Sequence, residues 1–351
     1  MKILYLPVIH PSSIHNTAIA DYQTDTLFYG LRKLLGEDAV DGYRMWHMYK
    51  KDKEKMPEAF GNLWGKGFSC YGLLEEQKID RDDIEAKLEN RFYDYIVLPI
   101  HHSENQNHGL INAYISTALE NYSPSEVALV DGWDRSEINT EIASRCRYFK
   151  RELIEKYKNI AAPISFSIPK EKTLELGDQE FDFSPLIPAF STPPEAAKHF
   201  ETYIYEEEDD YYDMYSKSRF SYTCKKGRHG EMNEGWDALR HYEILASGSV
   251  PFFTDIEKCP PLCLERFPKE LCIRAKKIKG VYPGTKSRYN PSQLGTYIGS
   301  STEIDSTGHI DENEFDSQEY EDLRNEVRVH FLKNNTCEQT AKYFIDRLRA
   351  S

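Results

Sequence analysis

Short apolar runs with β character alternate with helix-spaced segments through the first half of the chain. No other feature constrains the fold as strongly. Residues 2–9 form an apolar run, and Asp21 to Leu35 follows with Tyr22, Leu27, Leu31 and Leu34 at helical spacing up to Gly36. Asp80 to Phe92 reads as an acid-capped helix and Tyr93 to Ile100 as a buried strand. Residues 109–120 read as helix, Glu126 to Val130 as strand, Asn139 to Lys158 as a long helix, and Ile164 to Ile168 as a strand stopped by Pro169. Strands that alternate with helices pair in parallel, because the intervening helix carries the chain back across the sheet. The pattern predicts an α/β fold with an open, doubly wound sheet.

A second unit is expected after a linker at 179–195 that holds Pro185, Pro188, Pro193 and Pro194. It reads as a helix near 194–205, a strand from Arg219 to Cys224, a loop from Lys225 to Gly235, a helix from Trp236 to Ser247 and a strand from Ser249 to Thr254. Residues 315–349 are helical in pattern. A length of 351 residues suits two domains.

Lys and Arg number 44 against 58 Asp and Glu, a net charge of −14. That balance argues against nucleic acid or an anionic membrane as partner, since both need a positive field. No run approaches the ~18 apolar residues of a membrane span, and the first residues lack the form of a secretory leader. Seven scattered cysteines suit a reduced, cytoplasmic setting. Cys259 and Cys263 have no second ligand pair, so no metal site is expected. The acidic stretches at 206–210 and 303–322 read as solvated surface. Asp80-Arg81-Asp82 reads as helix capping and not as a metal-binding carboxylate pair.

In open α/β sheets, ligands bind beyond the carboxyl ends of the strands. His10 follows the first strand, His101 and His102 follow the strand ending at Ile100, and Asp131 follows the strand ending at Val130. Histidine and aspartate suit general-base work near neutral pH. Asp131 has the alternative of only orienting its loop.

The densest signal is Lys225-Lys226-Gly227-Arg228-His229-Gly230, then Trp236-Asp237-Ala238-Leu239-Arg240-His241-Tyr242-Glu243, then Gly248 and Val250-Pro251. A glycine-containing basic loop offers cations and backbone N–H groups to a diphosphate. Helical spacing puts Trp236, Arg240, Glu243 and Ser247 on one stripe, opposite an apolar face of Ala238, Leu239, Tyr242, Leu245 and Ala246. Arg240 suits phosphate oxygens, and Glu243 can accept both hydroxyls of a ribose. The alternative is a surface Arg240–Glu243 pair worth at most about 0.5 kcal/mol. A Rossmann dehydrogenase is disfavoured, because no G-x-G-x-x-G follows the first strand.

The segment from Trp236 to Phe252 resembles the donor-binding region of GT-B glycosyltransferases, most closely the exostosin-like group and related enzymes of microbes and large algal viruses. Arg240, Glu243, Gly248 and Pro251 stand where that group has its R-x-x-E-A-x-x-x-G-x-x-P helix and turn. Asp21 to Asp25, Asp131 to Asp134 and Tyr148 to Glu152 are similar to segments of the group in a less specific way. The resemblance implies two Rossmann-like domains facing a cleft: an acceptor domain at 1–190, a donor domain at 191–314, and a C-terminal helix at 315–351 crossing back. It implies sugar transfer from a nucleotide-diphosphate sugar to a hydroxyl of a glycan or glycoprotein, with no metal and no cofactor beyond that co-substrate. The donor-binding residues would be Lys225, Lys226, Gly227, Arg228, Trp236, Asp237, Arg240 and Glu243. The candidates for the base would be Asp131, His101, His102 and His10. Where many retaining members carry a glutamate eight residues before the helix Glu, this chain has Gly235, with Glu234 beside it, so the stereochemistry stays unassigned. A sugar-nucleotide epimerase and a non-catalytic nucleotide-sugar-binding module are the alternatives.

Overall fold

The computed structural model describes residues 1–7, 20–63, 67–100, 114–186, 207–225, 234–284 and 308–350. His10, His101, His102, Lys226, Gly227, Arg228 and the helix expected at 194–205 lie outside the described residues. The chain divides into two compact units. The first comprises 1–169, 261–265 and 336–351, and the second 170–260 and 266–335.

The first unit is built on six parallel strands: β1 (Ile3–Tyr5), β2 (Ala39–Asp41), β3 (Tyr95–Ile100), β4 (Val127–Asp131), β5 (Arg147–Lys150) and β6 (Ala161–Pro163). Their order is β2-β1-β3-β4-β5-β6, with Leu4 opposite Ile96 and Leu98 opposite Leu129. The order reverses between β1 and β3, and such a switch point opens a crevice at the carboxyl ends of the two strands.

Alternate residues of these strands serve two faces. Leu4, Ile96, Leu98, Val127 and Leu129 pack with Ile84, Leu88 and Ala118. Those three come from helices α4 (Ile84–Glu89) and α5 (Ile115–Asn121), which follow two short helices, α2 (Lys50–Lys55) and α3 (Pro57–Gly61). On the other side Phe149 of β5 meets Phe344 at 4.6 Å between ring centroids. Phe344 belongs to the last helix of the chain, Cys337–Arg349. That helix also packs on α1 (Tyr22–Leu35), where Gly30 lies so close to the Cys337 carbonyl that a Cβ would sit 2.0 Å from its oxygen.

Four expectations change here. The strand expected at 164–168 is β6 at Ala161–Pro163, and residues 164–167 follow it outside any strand. The long helix at 139–158 is a four-residue helix α6 (Thr140–Ala143) followed by β5, because Arg147-Tyr-Phe-Lys150 pairs in register with β4. The helix expected from Asp80 begins at Ile84. Asp80 binds Lys87 at 2.7 Å, and Arg81 reaches back to Asp41 at 2.6 Å. β2 has no counterpart in the sequence reading. It is three residues long, and its buried Asp41 is held by Arg32, Arg81 and Tyr49.

The second unit has three parallel strands in sequential order, β7 (Phe181–Phe183), β8 (Ser218–Thr223) and β9 (Val250–Phe253). A two-residue antiparallel pair, β10 (Val281–Tyr282) and β11 (His309–Ile310), completes its sheets among the described residues. Its helices are α7 (Glu208–Ser216), α8 (Leu239–Ala246), α9 (Lys269–Ala275) and α10 (Ser317–Asn334), and the helix at Cys337–Arg349 is α11. β7 pairs with β8, which ties residues 170–186 to the second unit, whereas the expected boundary lay at 190. The expected single C-terminal helix is two helices: α10 belongs to the second unit and α11 to the first. Glu208, expected at the solvated surface, is largely buried and bound to Lys172 at 2.9 Å. No helix among the described residues is long and apolar enough to cross a membrane.

Candidate functional site

In the second unit the chain runs from β8 through Cys224 and Lys225, turns at Gly235 (φ +69°), and enters α8 at Leu239. Trp236, Asp237 and Ala238 precede the helix, so Trp236 does not share a helical stripe with Arg240. It is 1% exposed, packs near Phe253, and belongs to the core. Its carbonyl lies 2.9 Å from His241 Nε2, while His241 Nδ1 lies 2.6 Å from the Thr223 hydroxyl. A carbonyl can only accept, so Nε2–H donates to it, and the imidazole ties the start of α8 to the end of β8. Asp237 and Glu234 are buried too. At the far end the Ser247 hydroxyl returns to the Glu243 carbonyl at 2.8 Å, and Gly248 at φ +80° makes the turn into β9. A Cβ at Gly248 would also meet Leu176 at 2.6 Å.

Arg240 and Glu243 lie beside α7. Glu243 is 6% exposed, and its Oε2 accepts the Tyr211 hydroxyl at 2.8 Å. Burial first, and the neighbouring Glu243 second, push the Tyr211 phenol well above its ordinary range, so it stays a donor. Arg240 is partly exposed. Burial works against its charge, but Tyr215, Tyr211 and Glu243 outweigh it and raise the guanidinium above its usual value. Lys225 holds its ammonium 5.3 Å from the centre of the Trp236 ring. Beside it, Asp255 follows β9. Burial raises its carboxyl and Lys225 opposes that shift. Lys225 and Asp255 thus meet at the carboxyl ends of β8 and β9, and Arg240 and Glu243 form a second charged pair on α8 against Tyr211 and Tyr215 of α7. This is a setting for an anionic ligand with hydroxyl groups.

In the first unit Asp131 ends β4 and is fully buried. Lys150 binds its Oδ1 at 2.9 Å, the Trp133 N–H donates to the same oxygen at 3.0 Å, and the Tyr148 hydroxyl donates to Oδ2 at 2.5 Å. Burial lowers Lys150, and Asp131 works in the opposite direction. Arg151 spans the Gly132 carbonyl at 2.8 and 3.0 Å and also pairs with Asp134. Both carboxylate oxygens of Asp131 are thus engaged in holding the 131–134 turn.

The chain is similar to one solved structure. That structure is an alpha-glucosyltransferase in complex with UDP and a 13-mer DNA containing an HMU base, matched at 9% identity and a TM-score of 0.39 over 99% of this chain and 98% of that one. No family model matches the chain, and no curated protein matches it. The match corrects the expectation about partners: the similar protein holds DNA, so nucleic acid is not excluded. Net charge sums over a whole surface, whereas a nucleic acid or nucleotide meets only a local patch.

Sequence reasoning placed Arg240, Glu243, Lys225 and Asp131 at strand ends or on the helix between strands, and the structure has them there. It missed Tyr211, Asp255 and the pair formed by Asp25 and His47, both fully buried and 2.9 Å apart. Tyr211 stands 32 residues from Glu243 and His47 stands 22 from Asp25, so no spacing rule could join them. Asp255 had a signal, since it directly follows a strand of the parallel sheet.

Proposed function

We propose that the protein transfers a sugar from a nucleotide-diphosphate sugar to a hydroxyl acceptor. The observation that supports this most directly is one strand–helix–strand unit that carries Lys225 after β8, and Arg240 and a Tyr211-held Glu243 on α8, between parallel strands. Lys225, with Lys226, Gly227 and Arg228 next in the loop, would meet the diphosphate, and Arg240 a phosphate oxygen. Glu243 would accept ribose hydroxyls while Tyr211 fixes its rotamer. Trp236 and Asp237 would support the loop from the core. The GT-B division of labour assigns the acceptor to the first unit, and the likeness of the 236–252 segment to exostosin-like enzymes favours the same assignment. The reaction as written needs no cofactor beyond the nucleotide sugar.

The chemistry asks for a base at the acceptor hydroxyl as its oxygen attacks the anomeric carbon, and for cations on the leaving diphosphate. His10 and His101-His102 follow the two strands that flank the switch point, which makes them the first choice as base. Asp131 suits a positioning role, because Lys150, Tyr148 and the Trp133 N–H already share its oxygens.

Isothermal titration with UDP, GDP and TDP tests the donor site. At least one should bind, and Arg240→Ala should weaken it by about tenfold or more. Donor hydrolysis, and transfer to hydroxyl acceptors including HMU-containing DNA, then test turnover. No binding by any nucleotide diphosphate would end the proposal.

A further inference from the structure

Gln23 lies in the first turn of α1 and is 1% exposed. Neither its amide oxygen nor its amide nitrogen has a hydrogen-bond partner among the described residues. Leaving both ends of a buried amide without a protein partner is costly, and a bound water, ion or ligand accounts for such groups in native proteins. The surroundings are built to keep that position. Gly132 backs directly onto Gln23, and a Cβ there would lie 2.9 Å from the Gln23 Cβ. Arg151 clamps the Gly132 carbonyl, and Lys150 lies 3.3 Å from the Trp133 carbonyl. This rigid turn presents the partly exposed Trp133 ring at the carboxyl edge of β4, with the Arg135 guanidinium 4.9 Å over it.

A planar amide offers an acceptor and a donor side by side. A single hydroxyl answers one of them at a time, whereas the edge of a nucleobase answers both at once. An aromatic ring on the adjoining turn offers the face on which a base stacks. Lys150 pairs with Asp131, and Arg151 with Asp134 and Glu152, which suits an uncharged base better than a phosphate. We propose that Gln23 is the edge-reading residue of a nucleobase site in the first unit, with Trp133 as its stacking surface. The site is separate from the donor-binding segment and does not depend on it.

The test pairs two variants, Gln23→Met and Trp133→Ala. Saturation-transfer NMR with uridine, cytidine, thymidine, adenosine and guanosine, and titration with a single-stranded 8-mer, read binding. Methyl glucoside serves as the hydroxyl-only comparison. At least one nucleoside should bind wild type, and methyl glucoside should not. Gln23→Met should keep or raise Tm, since it removes a dry amide at nearly constant volume, and should weaken the nucleoside about tenfold or more. Trp133→Ala should weaken the same nucleoside as well. An 8-mer that binds tighter than the nucleoside identifies nucleic acid as the source of the base, and equal affinity identifies the free nucleoside. A Gln23→Met protein with Tm lowered by several degrees would show that the amide is already paired and overturn the proposal. Nucleoside binding kept in Gln23→Met, no nucleoside binding to wild type, or methyl glucoside binding in place of nucleosides would overturn it equally.

Discussion

Tyr211 on α7 donates its hydroxyl to Glu243 on α8 at 2.8 Å, and both side chains are buried. Tyr211→Phe removes the donor and leaves a carboxylate with less than its share of partners. The expected cost is about 1–3 kcal/mol in urea unfolding, because an unsatisfied buried acceptor loses its solvation. If Glu243 holds ribose hydroxyls, the same variant also weakens nucleotide-diphosphate binding, which calorimetry reads separately.

Lys150 and Asp131 form a fully buried ion pair. Lys150→Met leaves Asp131 with only neutral donors and is expected to cost about 3–5 kcal/mol. Adding Asp131→Asn should recover part of that loss, since the lone buried charge is gone. A double-mutant cycle by chemical denaturation measures the coupling, and purely additive effects would contradict the pairing.

His330 on α10 donates its Nε2–H to the Arg266 carbonyl at 2.8 Å. Burial, the largest cause, lowers its pKa below the ordinary value near 6.5, with the carbonyl contact opposing. The unfolded chain therefore takes up the proton first as pH falls. Stability from this site is whole above 6.5 and declines below it, until the folded form also protonates. His330→Gln keeps a donor for the carbonyl and should remove that part of the acid decline in unfolding curves from pH 8 to 5.

Gly30 is the contact point between α1 and α11. A methyl group there would meet the Cys337 carbonyl oxygen at 2.0 Å, and backbone cannot move aside as a side-chain tip can. Gly30→Ala should cost about 1–3 kcal/mol as an overpacking defect. Tm should fall by about 2–4 °C for each kcal/mol in a unit of this size. An unchanged Tm would mean that α11 does not seat on α1.

Much of the architecture can be read from neighbouring residues. The strand expected at 93–100 is Tyr95–Ile100, that at 126–130 is Val127–Asp131, and the helix expected at 21–35 is Tyr22–Leu35 with Asp21 as its cap. The unit of β8, loop, α8 and β9 was equally legible, since its periodicity changes sharply at Gly235 and Gly248. Residues 139–158 were not. Arg147-Tyr-Phe-Lys150 has two apolar residues between two cations, a pattern that fits a helix as well as a strand, and only pairing with β4 decides it.

The sequence by itself determined the parallel α/β character of both units and the positions of Arg240, Glu243 and Asp131 relative to the strands. These follow from periodicity and strand order, which are local. Tertiary structure alone decided that Trp236 is core, that Glu243 answers to Tyr211, and that Asp131 is saturated by Lys150 and Tyr148. It also decided that the C-terminal segment serves both units and that Gln23 is left dry. Each of these depends on which distant segment excludes water from a given side chain, and no local pattern records that.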